Sequence, residues 1–290
     1  MDYLLHILIL VGMFTILAVS LDLLVGQTGL LSIAHAAFYG IGAYSSALLA
    51  TICHLPFIIG ILAGMVFAYV VSFVVSLPSL RLHDDYFVIA TFGFQMILFS
   101  IFNNWMDVTR GPLGIPRIPL PAIFGWHVTS HWGFLALAAL FAFIAFFVVN
   151  RISSSPFGRV LRTIREDEGF ATSLGKNTLR FKVTAFAVSA ALAASAGSLY
   201  AHYISYIDPT SFTVMESILV ISMVIIGGAG SKWGPVIGAV VLVTLPEALR
   251  FIGMPSSVAA NLRQIFYGTL LVIMMMFRPR GLVGRYGFGR

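Results

Sequence analysis

Four unbroken apolar runs, 3–24, 56–77, 131–150 and 183–204, constrain this chain more than any motif does. A helix needs about 20 mostly apolar residues to cross the hydrocarbon core of a bilayer. Five further runs, 30–53, 84–104, 213–229, 235–252 and 262–277, approach or reach that length but carry Gly, Pro or a polar residue. Together they predict an all-α integral membrane protein with about nine transmembrane helices, within a range of about eight to ten, some broken at Gly-rich segments. The first run reads as a retained helix. Met1-Asp2-Tyr3 offers no basic leader, and no small-residue cleavage site follows.

Composition agrees. Of 290 residues 59% are hydrophobic and only 10% charged, with mean hydropathy +0.97. A soluble domain is typically about 25% charged, and a disordered chain is poor in apolar residues. Both classes are excluded. No stretch is polar enough for a separate extramembrane domain, so 1–290 reads as one transmembrane domain. A single cysteine, Cys53, rules out a disulfide framework and a four-Cys zinc site. His6, His35, His54, His83, His127, His131 and His202 lack metal-ligand spacing. The net charge of +6 reports topology rather than nucleic acid, since no cluster of aromatic and basic residues accompanies it.

The basic residues set sidedness. Segment 151–182 holds Arg151, Arg159, Arg162, Arg165, Lys176, Arg180 and Lys182, seven of the 17; the tail adds Arg278, Arg280, Arg285 and Arg290. Cytoplasmic loops concentrate Lys and Arg, so both segments are expected inside. Four predicted spans separate them, an even number. Counting back through five spans puts the N-terminus outside. The stretch 105–130, with Pro112, Pro116, Pro119 and Pro121, then forms an ordered external loop that no regular helix can occupy.

The 151–182 loop is also patterned. Val160, Leu161, Ile164, Phe170, Ala171 and Leu174 recur mostly at three- and four-residue intervals, with Arg159, Arg162 and Arg165 on another face. This predicts a short amphipathic helix or helix pair, closed by Gly175. Two readings stand. The loop sets topology alone, or its apolar stripe docks into a groove on another protein.

Residues 158–168, Gly-Arg-Val-Leu-Arg-Thr-Ile-Arg-Glu-Asp-Glu, with Ala171 and Leu174-Gly175, resemble the cytoplasmic coupling loop of permease subunits of branched-chain amino acid ABC transporters. The resemblance continues across the chain. It takes in residues 26–44 (Gly-Gln-Thr-Gly-Leu-Leu-Ser-Ile-Ala-His onward), 85–94, Asn103-Asn104-Trp105, 109–116, 199–203, 227–235 and 277–282. It implies an ABC-importer permease fold in a bacterial inner membrane. It also implies a second homologous permease subunit, two cytoplasmic ATP-binding subunits and a periplasmic or extracellular substrate-binding protein. ATP and magnesium would be used by those partners, with no cofactor on this chain. By position, Arg159, Leu161, Arg162, Ile164, Arg165, Glu166, Asp167, Glu168, Ala171 and Gly175 would form the ATPase-coupling element. Where the related motif places Glu before two alanines, Gly169-Phe170-Ala171 stands here, with the acids just upstream.

Gly26, Gly29, Gly40 and Gly42 are spaced through apolar sequence among polar residues. Glycine permits close helix packing in lipid, and also a helix break at depth where the backbone lines a cavity. Gln27, Thr28, Gly29 and Ser32, with Thr91 and Gln95 four apart on one helix face, are therefore candidates for a substrate path. Helix–helix packing is the other reading, and His35 reads as a packed, hydrogen-bonded residue. A second Gly-rich run at 227–238 resembles the first. Among ionisable residues in spans, Asp22 is expected near water, Glu216 in a first helical turn, and Glu247 and Arg250 as a pair near an interface.

Other classes fit less well. An ion-coupled secondary transporter predicts central charged relays, and a membrane enzyme predicts clustered His, Asp and Glu. Neither pattern is present. No Walker A sequence occurs, so any ATP-driven function needs a separate ATPase. Within the resembled family, permeases for urea, short amides or aromatic acids are the alternatives to one for leucine, isoleucine or valine.

Overall fold

The computed structural model describes residues 2–80, 84–123, 126–250, 268, 269, 272, 273, 276 and 281–283. Its helices are α1 (Asp2–Thr28), α2 (His35–Thr51), α3 (Phe57–Ser79), α4 (Asp84–Asn104), α5 (Met106–Thr109), α6 (His131–Ser154), α7 (Pro156–Glu166), α8 (Glu168–Ser173), α9 (Thr178–Ile204), α10 (Val214–Gly227) and α11 (Gly234–Arg250). Among the described residues, six helical stretches are long and apolar enough to cross a membrane. They are Asp2–Thr28, Phe57–Ser79, Tyr86–Asn104, His131–Ser154, Thr178–Ile204 and Pro209–Gly227. The expected span 30–53 is the 17-residue α2, whose apolar content is diluted by Gly, Ser and Tyr. The expected span 262–277 lies almost wholly outside the described residues.

Helix α9 is the axis of the bundle and packs against α1, α2 and α3. Its inner faces are small: Ala187, Ala190, Ala193, Ala194, Ala196 and Ala201 are buried. A Cβ on Gly42 would strike the Ala194 carbonyl, and one on Gly197 would strike the carbonyl of Tyr39. Close approach of two backbones, the usual use of small residues in membrane helices, is therefore what Gly42 of α2 and Gly197 of α9 provide. The outward faces of α3, α4 and α6 carry Leu62, Val66, Phe67, Ile89, Phe92, Leu140, Phe143 and Phe147, all exposed and all suited to lipid.

The bundle has two distinct ends. At one, the strand pair β1 (Ile115–Pro116) and β4 (Tyr206–Ile207) joins the 105–130 segment to the loop after α9. There His6 Nδ1 lies 2.6 Å from the Tyr203 hydroxyl, which places the start of α1 at this end. His202 reaches Pro119 O at 2.7 Å and Ser46 Oγ at 2.8 Å, so the C-terminal half of α2 lies at this end too. The 105–130 segment, with the hairpin of β2 (Ala122–Ile123) and β3 (Trp126–His127), holds no long helix, as its prolines require. At the opposite end lie the last turn of α1, the 151–182 loop and the 228–233 loop. The start of α1 and the 151–182 loop therefore sit at opposite ends of the bundle.

Candidate functional site: the 151–182 loop and its seat

Residues 151–182 form two helices rather than one. Ser155 caps α7 by accepting from the Gly158 N–H (3.3 Å), and Pro156 stands at the first helical position. Asp167 ends α7 in extended backbone and caps α8, accepting from the Phe170 N–H at 2.9 Å. Gly175 (φ +72°) closes α8: its N–H donates to Thr172 O (2.9 Å) and the Lys176 N–H to Ala171 O (3.2 Å). This two-bond closure needs a left-handed residue at the position glycine occupies.

The apolar stripe divides between the two helices. Leu161 is 0% exposed and belongs to the main core, with Ile164, Gly158 and Ala171 also buried. The stripe of α7 therefore packs on the chain's own spans, correcting the expectation that Leu161 and Ile164 form the face offered to another protein. Its arginines divide likewise. Arg159 is exposed. Arg162 donates to Ser153 O at 3.1 Å, and the Arg165 guanidinium donates to Gly26 O in the last turn of α1. Gly29 (φ +76°) lies against the Arg165 side-chain stem.

The tip is different. Glu166, Asp167, Glu168, Phe170, Leu174 and Gly175 are exposed, with Phe170 at 55% and Leu174 at 59%. Four residues apart, these two large apolar side chains share a face of α8. The tip is braced to α9 by the Glu168–Lys182 ion pair at 2.6 Å. Burial raises the Glu168 carboxyl, but hydrogen bonds from Lys182 and Thr178 and the Lys182 charge outweigh it, leaving its pKa below 4.5.

Beneath this loop the two glycine-rich runs meet. The Gly230 N–H donates to Asp22 Oδ1 at 2.7 Å, and a Cβ on Gly26 would collide with Gly230. Asp22 is 4% exposed, so the expectation of a water-facing carboxylate is corrected. A backbone donor 208 residues away satisfies its Oδ1. The chain then returns: the N–H groups of Leu282 and Val283 donate to Ile226 O (2.8 Å) and Gly227 O (3.1 Å), capping α10.

The six candidates for a substrate path are spread out. Thr28 Oγ1 donates to Leu24 O (2.7 Å), and Ser32 Oγ accepts from the Ala34 N–H (3.3 Å). Thr91 Oγ1 accepts from the Ile33 N–H at 3.2 Å, and Gln95 Nε2 donates to Phe212 O at 2.8 Å. With the Ala36 N–H donating to Ser217 Oγ at 2.9 Å, donors at the start of α2 already have protein acceptors. Gln27 alone of the six faces the cavity described below. His35 is the packed residue expected, its Nε2 2.8 Å from Ser20 Oγ. Glu216 stands in the first turn of α10. The side chains of Glu247 and Arg250 lie outside the described residues. Among the described residues no cluster of His, Cys, Asp and Glu could hold a metal ion.

These features define a multi-pass membrane protein with a loop rigidly seated on its bundle. The family described as branched-chain amino acid transport system / permease component matches residues 3–275. The chain belongs to that family. It is 37% identical over 294 residues to the high-affinity branched-chain amino acid transport system permease protein LivM of Salmonella typhimurium, covering 93% of this chain and 67% of that protein. The LivM protein of Escherichia coli is 36% identical with the same coverage. The LivH permease protein of Escherichia coli is 26% identical over 302 residues, covering 94% of this chain and 91% of that one. No solved structure matches.

Proposed function

We propose that this chain is a membrane-spanning subunit of an ATP-driven importer that carries branched-chain amino acids into the bacterial cytoplasm. The LivM and LivH names of its relatives support the substrate class. On this reading the chain sits in the inner membrane as a single domain with about nine spans. The N-terminus is outside, and the C-terminus and the 151–182 loop are inside. Its partners are a second permease of the same kind, two ATP-binding subunits that use ATP and magnesium, and an external binding protein. The chain itself hydrolyses nothing.

The observation that carries the coupling role is the seating of the loop. α8 presents Phe170 and Leu174 outward, while α7 is fixed to α1 through Arg165 and Gly26 and to the end of α6 through Arg162 and Ser153. The Glu168–Lys182 pair fixes α8 to α9. A push on the tip by closing ATPases therefore reaches α1, α6 and α9 together. The contact set is then Glu166, Asp167, Glu168, Phe170, Leu174 and Gly175, with Arg159 at its edge. Leu161, Arg162, Ile164, Arg165 and Ala171 act as the seat. Gln27, Thr28, Gly29, Ser32, Thr91 and Gln95 support the α1–α2 break and the packing of α4, beside which the substrate would pass.

The test is uptake of labelled leucine by proteoliposomes holding the chain with its partner permease, ATPases and binding protein. Accumulation should need ATP and every component, with isoleucine and valine competing and urea, acetamide and phenylalanine failing to compete. Accumulation by this chain alone under an ion gradient would overturn the reading.

A further inference from the structure

A cavity of about 540 Å³ opens between the last turns of α1, the end of α6, Arg162 of α7 and the 230–235 segment. That volume is within the usual range for a bound small molecule or headgroup. Its polar lining is divided by kind. Arg162 and Lys232 supply cationic donors, and Asp22, Gln27 and Asn150 supply acceptors. Gln27 is 4% exposed, and both Gln27 Oε1 and Asn150 Oδ1 are buried without a hydrogen-bond partner among the described residues. A buried acceptor left without a donor costs on the order of 1–3 kcal/mol, and the nearby Ser154 and Ser231 hydroxyls already donate to Asn150 O and Gly228 O, so these two acceptors call for a donor from a ligand. Ser153, Ser154 and Ser231 also line it, and its apolar side, with Phe146, Val149 and Trp233, is continuous with a lipid-facing surface. Phe146 packs against the exposed Trp233 with ring centroids 4.9 Å apart, and Phe143 and Phe147 beside it face outward from α6. Tryptophan at such a level is characteristic of the membrane–water interface, and basic pockets between spans there take phospholipid headgroups.

We propose that this cavity binds a phospholipid carrying a primary ammonium, of phosphoethanolamine type. The phosphate lies against Arg162 and Lys232, the ammonium donates to Gln27 Oε1, Asn150 Oδ1 and the Asp22 carboxylate, and the acyl chains run along Phe143 and Phe147. The chemistry makes a sharp distinction. A choline headgroup has the same charges but no N–H, so it cannot satisfy the acceptors. The lipid would sit directly behind Arg162 and the Asp22–Gly230 bond, adjoining the seat of the 151–182 loop.

Native mass spectrometry of the full-length chain, offered equimolar phosphatidylethanolamine and phosphatidylcholine of matched acyl chains, tests this. Wild type should retain the ethanolamine lipid at least about fivefold over the choline lipid. Asn150→Leu should bring that ratio close to one, and Lys232→Gln, at an exposed position, should lower both adducts about threefold. Should Asn150→Leu fold poorly, Ser154→Trp at the exposed rim should exclude both lipids. Equal retention of the two lipids by wild type, or an unchanged preference in Asn150→Leu, would overturn the proposal. So would displacement of the ethanolamine lipid by millimolar free leucine, which would make the site one for a soluble zwitterion.

Discussion

Helices α7 and α8 are neighbours in one loop, share one amphipathic pattern, and put it to opposite uses. In α7 the apolar positions Leu161 and Ile164 are driven into the chain's own core. In α8 the corresponding large side chains, Phe170 and Leu174, face out. The break at Asp167 turns the stripe from inward to outward, and Ala171, small enough to sit flush, is the α8 position that stays buried. The contrast teaches that an amphipathic loop helix need not bury its stripe on a partner. A lever needs a fixed end as well as a contact, and here the sequence encodes both within 20 residues.

The largest effect should come from the fixed end. Leu161→Asp removes a fully buried side chain and leaves a carboxylate without a partner, which should cost at least about 3 kcal/mol. A markedly lower melting temperature in detergent is the expected reading. If α7 served only a partner, the isolated chain would melt unchanged. At the free end the reverse holds. Phe170→Asp with Leu174→Asp should leave the melting temperature of the chain alone within about 0.5 kcal/mol while reducing ATPase co-purification at least about tenfold.

Between these lies Arg165→Gln. Loss of the charge-assisted bond to Gly26 O should cost about 1.5–3 kcal/mol. If the seat transmits force, leucine uptake per ATP hydrolysed should fall further than ATPase binding does. The smallest effect belongs to the brace. Glu168 is held below 4.5 in the folded chain, so its contribution is present above that value and fades as pH falls through the folded-state pKa. The pair is partly exposed, which limits the effect to under about 1 kcal/mol. Wild type should lose a small increment of thermal stability on acidification below pH 4.5 that Glu168→Gln lacks.

The spans were legible because bilayer thickness fixes a length that 3–24, 56–77, 131–150 and 183–204 each meet alone. The break between α1 and α2 was signalled by Gly26 and Gly29, and the helix pair by Gly175. Periodicity shows that α7 has an apolar face but carries no information on what covers it, so the burial of Leu161 and Ile164 needed the structure. The partner of Asp22 is a backbone N–H with no side-chain signature, 208 residues along the chain. Similarly, the start of α2 has the features of a ligand-binding terminus, yet Ser217 and Thr91 already accept from the backbone there.

Cysteine accessibility distinguishes α8 as the contact from α7 as the seat most directly. In a Cys53→Ser background, single cysteines at positions 161 and 170 can be labelled with a membrane-impermeant maleimide in inside-out vesicles, with and without the ATPase subunits. Phe170→Cys should label rapidly, suppressed at least about fivefold when the ATPases are bound, and Leu161→Cys should label negligibly in either case. Labelling of Leu161→Cys in the free chain that the ATPases suppress, with Phe170→Cys unaffected by them, would contradict this assignment.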